Sequence, residues 1–210
     1  MTRVVVLSGG IGTGKTTVDR MFEKLGAVVI CADEITHEVQ RAGSPLLARI
    51  VEAFGEGVLD ASGELDRAAL GDIVFRDPEA RRRLEALVHP QVGTEMSRRL
   101  SEARAAGSPL VVMDLSVLFE SKHASGAPLK SPADPWDAVI VVWAPPELQV
   151  ERQLAREDYD RAEAERRVAA QIPIDEKRAQ ADHVIDNSGS LAATERQVRA
   201  LYAELVRAKA

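Results

Sequence analysis

Residues Gly9 to Thr16 read G-G-I-G-T-G-K-T and follow directly on the apolar run Val4-Val5-Val6-Leu7. Glycines at this spacing let the backbone curl tightly, so that successive amide N–H groups converge on an anion. The arrangement is a phosphate-binding P-loop set between a strand and a helix. Lys15 is placed to reach the outer phosphates of a nucleotide, and the Thr16 hydroxyl to ligate Mg²⁺. Gly10, Ile11, Gly12, Thr13, Gly14, Lys15, Thr16 and Thr17 form the candidate nucleotide-binding stretch. A plain glycine-rich turn fits the context less well. The helix from Lys15 carries Val18, Met21, Phe22 and Leu25 at near-helical spacing, stops at Gly26, and aims its N-terminal dipole at the loop. A dinucleotide fingerprint fits poorly too, because after Gly10 and Gly12 the third glycine position falls on Lys15.

Other residues of suitable type are spread along the chain. Asp33 follows the second apolar run, where the crevice beyond the strand ends of a parallel sheet would lie. A carboxylate there can orient an attacking hydroxyl and take its proton; equally, it can cap the helix beginning at Glu34. Gln149, Arg152 and Arg156 stand at i, i+3 and i+7 and share a helix face. The two arginines either stabilise the charge of phosphates in transfer or are ordinary solvated cations. Asp114 ends the Val111-Val112-Met113 run where a Walker B acid would hold Mg²⁺ through water, or else caps a loop. His37, one helical turn after Asp33, and His89 are read as substrate-binding or structural hydrogen bonders, since no nucleophile–base pair accompanies them. Asn187 and Gly189, in the turn after the last run, either line an adenine pocket or make a plain turn.

These residues need a scaffold. Apolar runs recur at Arg3–Ser8, Ala27–Cys31, Leu110–Asp114, Ala138–Trp143 and His183–Ile185, separated by helical periodicity. That alternation predicts an α/β fold with a parallel sheet, and the continuous runs predict strands buried on both faces. From Gly43 to Ala106 lies a helical insertion: Ser44-Pro45 opens one helix, Asp66 caps a second, and Asp77-Pro78 opens a third. The insertion is expected to be a substrate-facing subdomain. His123 to Pro135, with three prolines, is expected to be a surface excursion. Pro145-Pro146 opens another helix, and Glu157 to Lys177 has the charged helical composition of a mobile lid.

The 210 residues can bury a full core, and a single cysteine, Cys31, excludes an internal disulfide and sites built from several thiolates. Cys31 itself reads as a small buried residue at a strand end. This cysteine usage fits a reducing cytoplasm. With Arg3 opening the first apolar run directly after Met1, no leader is expected, and no run is long enough to span a membrane, so no membrane partner is expected. The net charge of −6 offers no general attraction to nucleic acid, and a small anionic substrate is expected instead.

The ordered set of motifs closely resembles the dephospho-CoA kinase family. It comprises the P-loop, V-I-C-A-D-E-I-T-H-E-V around Asp33, D-R-A-A-L-G-D-I-V-F from Asp66, L-E-A-L-V-H-P from Leu84, L-F-E-S from Leu118, Q-x-x-R-x-x-x-R from Gln149, and A-D-H-V-I-D-N-S-G from Ala181. The resemblance implies a P-loop kinase core of five parallel strands in order 2-3-1-4-5, with a helical CoA-binding insertion and a lid. The core would be 1–42, 107–150 and 180–210, the insertion 43–106 and the lid 151–179. It implies ATP-dependent phosphorylation of the ribose 3′-hydroxyl of dephospho-CoA with Mg²⁺; a monomer or small homo-oligomer is expected. Lys15, Arg152 and Arg156 match the phosphate-stabilising cations and Asp33 the base, while His89, Leu118 and Glu120 fall on the acceptor side. Three departures stand out. Ser116 occupies the place of a usual proline, Cys31 stands where an acid is common, and the His123–Pro135 excursion is long. Rival readings are another small P-loop kinase, acting on a nucleotide, shikimate or gluconate, and a nucleotide-dependent switch. L-E-A-L-V-H-P counts against the first and the absence of N-K-x-D against the second.

Overall fold

The computed structural model describes residues 2–131, 134–156 and 160–207. The five apolar runs become β1 (Arg3–Gly9), β2 (Val28–Cys31), β3 (Leu110–Asp114), β4 (Ala138–Trp143) and β5 (His183–Asp186). All pair in parallel, in the order β2-β3-β1-β4-β5. α1 (Lys15–Lys24) and α10 (Leu191–Arg207) cover one face, where Val5, Leu7, Phe22, Leu110, Val198 and Leu205 share a core. Val4, Val6, Val111, Val139 and Val141 are buried as well, so the sheet is covered on both sides, as unbroken apolar strands require. β1 lies between β3 and β4, and at its C-terminal end the strand order reverses, which opens the crevice in which ligands of such sheets bind.

The chain divides into two compact units. Residues up to Cys31 join those from Glu102 onward, and Ala32–Ser101 form the second unit. The second unit holds α2 (Ala32–Val39), α3 (Pro45–Phe54), a 3₁₀ turn (Glu56–Val58), α4 (Arg67–Arg76) and most of α5 (Pro78–Ala105). Its caps follow from the sequence. The Ser44 hydroxyl accepts from Leu47 N–H at 3.0 Å, and the Asp66 carboxylate from Ala68 and Ala69 at 3.0 and 2.9 Å. Leu46, Leu47, Ile50, Val58, Leu65, Leu70 and Val88 form its core. α2 begins at Ala32, so Asp33 lies within its first turn and is not the cap of a helix starting at Glu34.

In the first unit α6 (Leu118–Ser125) takes in the first three residues of the expected excursion; helix there persists until Gly126, at φ 66°. The excursion is pinned back by Lys122, whose Nζ pairs with Asp134 at 2.9 and 3.0 Å and sits 5.5 Å from the Trp136 ring centroid. Residues 132–133 and 157–159, which belong to the excursion and to the charged segment, lie outside the described residues. α7 (Pro146–Arg156), α8 (Arg161–Ala169) and α9 (Ile174–Ala179) follow β4, with a non-helical stretch at 171–173.

Candidate active site

The loop after β1 turns on two glycines in the left-handed region, Gly12 at φ 76° and Gly14 at φ 92°. Gly14 has a second constraint: a Cβ there would lie 2.3 Å from Asn187 Nδ2. Thr13 is fully buried, and its hydroxyl donates to the Gly10 carbonyl at 2.8 Å. Its side chain thus holds the loop from inside, which leaves the backbone to face a ligand. α1 begins at Lys15, and Thr16 and Thr17 fill its first turn, so the partial positive charge of the helix start points into the loop.

Elements distant in sequence clamp this loop. Arg152, on α7, donates from Nη1 to the carbonyls of Gly12 and Thr13, both at 3.2 Å, and from Nη2 to Asn187 O at 2.7 Å. Asn187 donates from Nδ2 to Thr13 O at 2.8 Å and accepts from Thr194 Oγ1 at 2.8 Å. The guanidinium fork matches these acceptors because its donors are fixed in one plane. A pocket of about 300 Å³ brings together Gly12, Gly14, Thr17, Arg152, Arg156, Asn187 and Gly189. Arg156 is exposed at its rim and Asn187 is buried in its wall.

Asp114, at the end of β3, meets a residue absent from the sequence reading. Asp19, three positions after Thr16 on α1, is 7% exposed. Burial first, then the Asp114 charge and the hydrogen bond between the two carboxyls, push Asp19 up to about 8, with Lys15 acting in the opposite direction. The pair therefore retains a proton at neutral pH. Cys31 Sγ stands 3.8 Å from Asp114 Oδ2 and is only partly buried, more open than a core position. Asp19 Oδ1 is buried with no hydrogen-bond partner. Two adjoining carboxyls, one with an unsatisfied oxygen, suit a divalent cation. Among the described residues no group of three His, Cys, Asp or Glu side chains could hold one alone, and a magnesium ion needs no such cage when phosphates supply its other ligands.

The remaining candidates are placed as follows. Asp33 and His37 are exposed on α2, and His89 is exposed on α5 just before Pro90. Leu118 is 4% exposed, its side chain in the core. Glu120 Oε1 accepts from Lys177 Nζ at 2.6 Å and from Ile172 N–H at 3.3 Å.

Comparison with known proteins decides between fold and family. A family model described as dephospho-CoA kinase matches residues 3–193. The chain belongs to the dephospho-CoA kinase family. The dephospho-CoA kinase of Bacillus licheniformis is 45% identical over 203 residues, covering 96% of each chain. The solved dephospho-CoA kinase of Campylobacter jejuni aligns over the whole of both chains with a TM-score of 0.69 and 26% identity. A shikimate kinase from Acinetobacter baumannii shares the fold, at TM-score 0.51 and 16% identity over 100% and 96% of the two chains. The core alone therefore does not separate these kinases, whereas the motifs do.

Sequence reading missed Asp19, Gln171 and Lys177. Asp19 carried a usable signal: it sits between Val18 and Phe22 on the buried stripe of α1, where an acid is out of place. Gln171 and Lys177 lie in a charged stretch whose composition reads as surface, and nothing local marks them as inward-facing.

Proposed function

We propose that the chain transfers the γ-phosphoryl group of ATP to the ribose 3′-hydroxyl of dephospho-CoA, giving CoA and ADP, the last step of CoA synthesis. The observation that carries this reading is the P-loop with the Arg152 guanidinium fixed on its Gly12 and Thr13 carbonyls, in a chain of this family. In the transfer the bond between the γ-phosphorus and the bridging oxygen of ATP breaks as one to the 3′-oxygen forms. Lys15 and Arg152 stabilise the charge that spreads over the phosphoryl oxygens, and Arg156 adds to it from the rim. Asp33 orients the hydroxyl and takes its proton late, as suits a weak base in a loose transition state. Gly10 to Thr17 bind the phosphates, and Asn187 and Gly189 border the adenine. His37 and His89 are assigned to the acceptor.

Mg²⁺, bound through Thr16 and the Asp19–Asp114 pair, would neutralise charge on the β- and γ-phosphates. The helical insertion of 43–106 is read as the acceptor-binding part and 151–179 as the lid. No helix among the described residues is long and apolar enough to cross a membrane. The test is ADP release by the purified protein with Mg·ATP. Dephospho-CoA should raise it far above AMP, shikimate or no acceptor, and equal release in all cases would overturn the assignment.

A further inference from the structure

Lys177 is fully buried on α9. Its Nζ donates to Gly9 O at 3.3 Å and to Glu120 Oε1 at 2.6 Å, and lies 5.8 Å from the centroid of the Phe119 ring. Six residues earlier, Gln171 Oε1 accepts from Ile11 N–H at 2.8 Å. The stretch 171–177 therefore holds the first turn of the P-loop at two backbone points, one carbonyl and one amide. Gln149, anchored by its Nε2 to Ala144 O at 2.8 Å, stands on the same side of Gly10 as Gln171: a Cβ on Gly10 would lie 2.7 Å from Gln149 Oε1 and 3.4 Å from Gln171 Oε1. Glu120 joins the two parts of the stretch by accepting from both Lys177 and Ile172.

An ammonium buried in this way is costly to desolvate, and apolar side chains of similar volume often replace such an ion pair with no loss of stability. Retention of the charge therefore needs a reason besides stability. Amide donors aimed at phosphate act at full strength only when they need not be ordered during binding. A loop whose first carbonyl is tied to a packed helix, and whose third amide is tied to the segment leading into that helix, is ordered in advance.

We infer that Lys177 is a positioning residue for nucleotide binding: with Gln171 and Glu120 it sets the P-loop in its phosphate-binding shape before ATP arrives. The inference rests on reading the loop as the nucleotide site. Lys177 touches no substrate atom in this role and acts through Gly9.

The test uses the intact chain and a fluorescent ADP analogue, followed by steady-state kinetics. Lys177→Met alone leaves the half-buried Glu120 without its cationic partner and can fail to fold, so Lys177→Met/Glu120→Gln and Gln171→Ala are measured beside it. In the folded variants nucleotide dissociation constants and KM for ATP should rise about tenfold, and Gln171→Ala, which leaves Glu120 intact, should keep kcat at saturating ATP within about threefold of the parent. Thermal midpoints of the double variant and of Gln171→Ala should stay near the parent value. A lower thermal midpoint with unchanged nucleotide affinity would assign Lys177 a purely structural role and overturn the inference. If the parent chain itself fails to bind the analogue, the nucleotide-site reading fails instead, and the two outcomes are distinct.

Discussion

Arg152 donates to the carbonyl oxygen of Asn187 at 2.7 Å, while Asn187 reaches across to Thr13, so each side chain fixes the surface on which the other acts. Arg152 thus meets three backbone carbonyls at once. Lysine carries the same charge on a single nitrogen and cannot reproduce the planar fork. Arg152→Lys should lower kcat by about 10²–10³-fold with a smaller change in KM for ATP. Near-parental turnover in a steady-state assay would show that charge alone suffices.

Gly14→Ala should abolish nucleotide binding. It places a Cβ 2.3 Å from Asn187 Nδ2 at a backbone angle of φ 92°, so either the loop or the Asn187 clamp must move. The backbone strain alone is about 1–3 kcal/mol, which a lower thermal midpoint in nucleotide-free protein should register. Gly43→Ala, also at positive φ (77°) but with nothing within 4 Å of a Cβ, separates strain from collision: it should lower stability and leave binding intact.

The Asp19 carboxyl titrates near 3.8 in the unfolded chain and about 8 in the folded one. Between those values the folded state binds the extra proton, so stability falls as pH rises through the window and levels off above about 8. Asp19→Asn removes this slope. Chemical unfolding of nucleotide-free protein in a chelator, from pH 5 to 8, should show the parent losing stability relative to the variant. Parallel curves would refute the buried proton.

Asp33→Asn keeps the size of the side chain and its place in the first turn of α2, and removes the proton acceptor. Turnover should fall about 10²–10⁴-fold while the affinity for the ADP analogue is kept. Normal turnover would return Asp33 to a structural role in α2.

The sheet was legible because strands buried on both faces leave unbroken apolar runs, and the five runs of the sequence lie within two residues of β1 to β5. The second unit was legible through its caps, Ser44 and Asp66, which act within three residues of themselves. What escaped reading were inward-facing polar side chains whose partners are remote. Lys177 is 168 positions from Gly9, and no local periodicity encodes such a bond. Asp33 misled as a cap because the helix starts one residue before it, and helix starts are resolved in sequence only to within a residue or two. Glu120 was read toward the acceptor from its motif alone, whereas its Oε1 is committed to Lys177 and Ile172.

The P-loop is written in the first 16 residues, yet its supports at Gln149, Arg152, Gln171, Lys177 and Asn187 all arrive in the last third of the chain. β1, which carries it, pairs only with strands made later. During synthesis the loop would leave the ribosome long before the distant side chains that clamp it, and contacts spanning this much chain form slowly. The nascent polypeptide would therefore remain blind to nucleotide until β5 had docked, and ligand could stabilise only a finished fold.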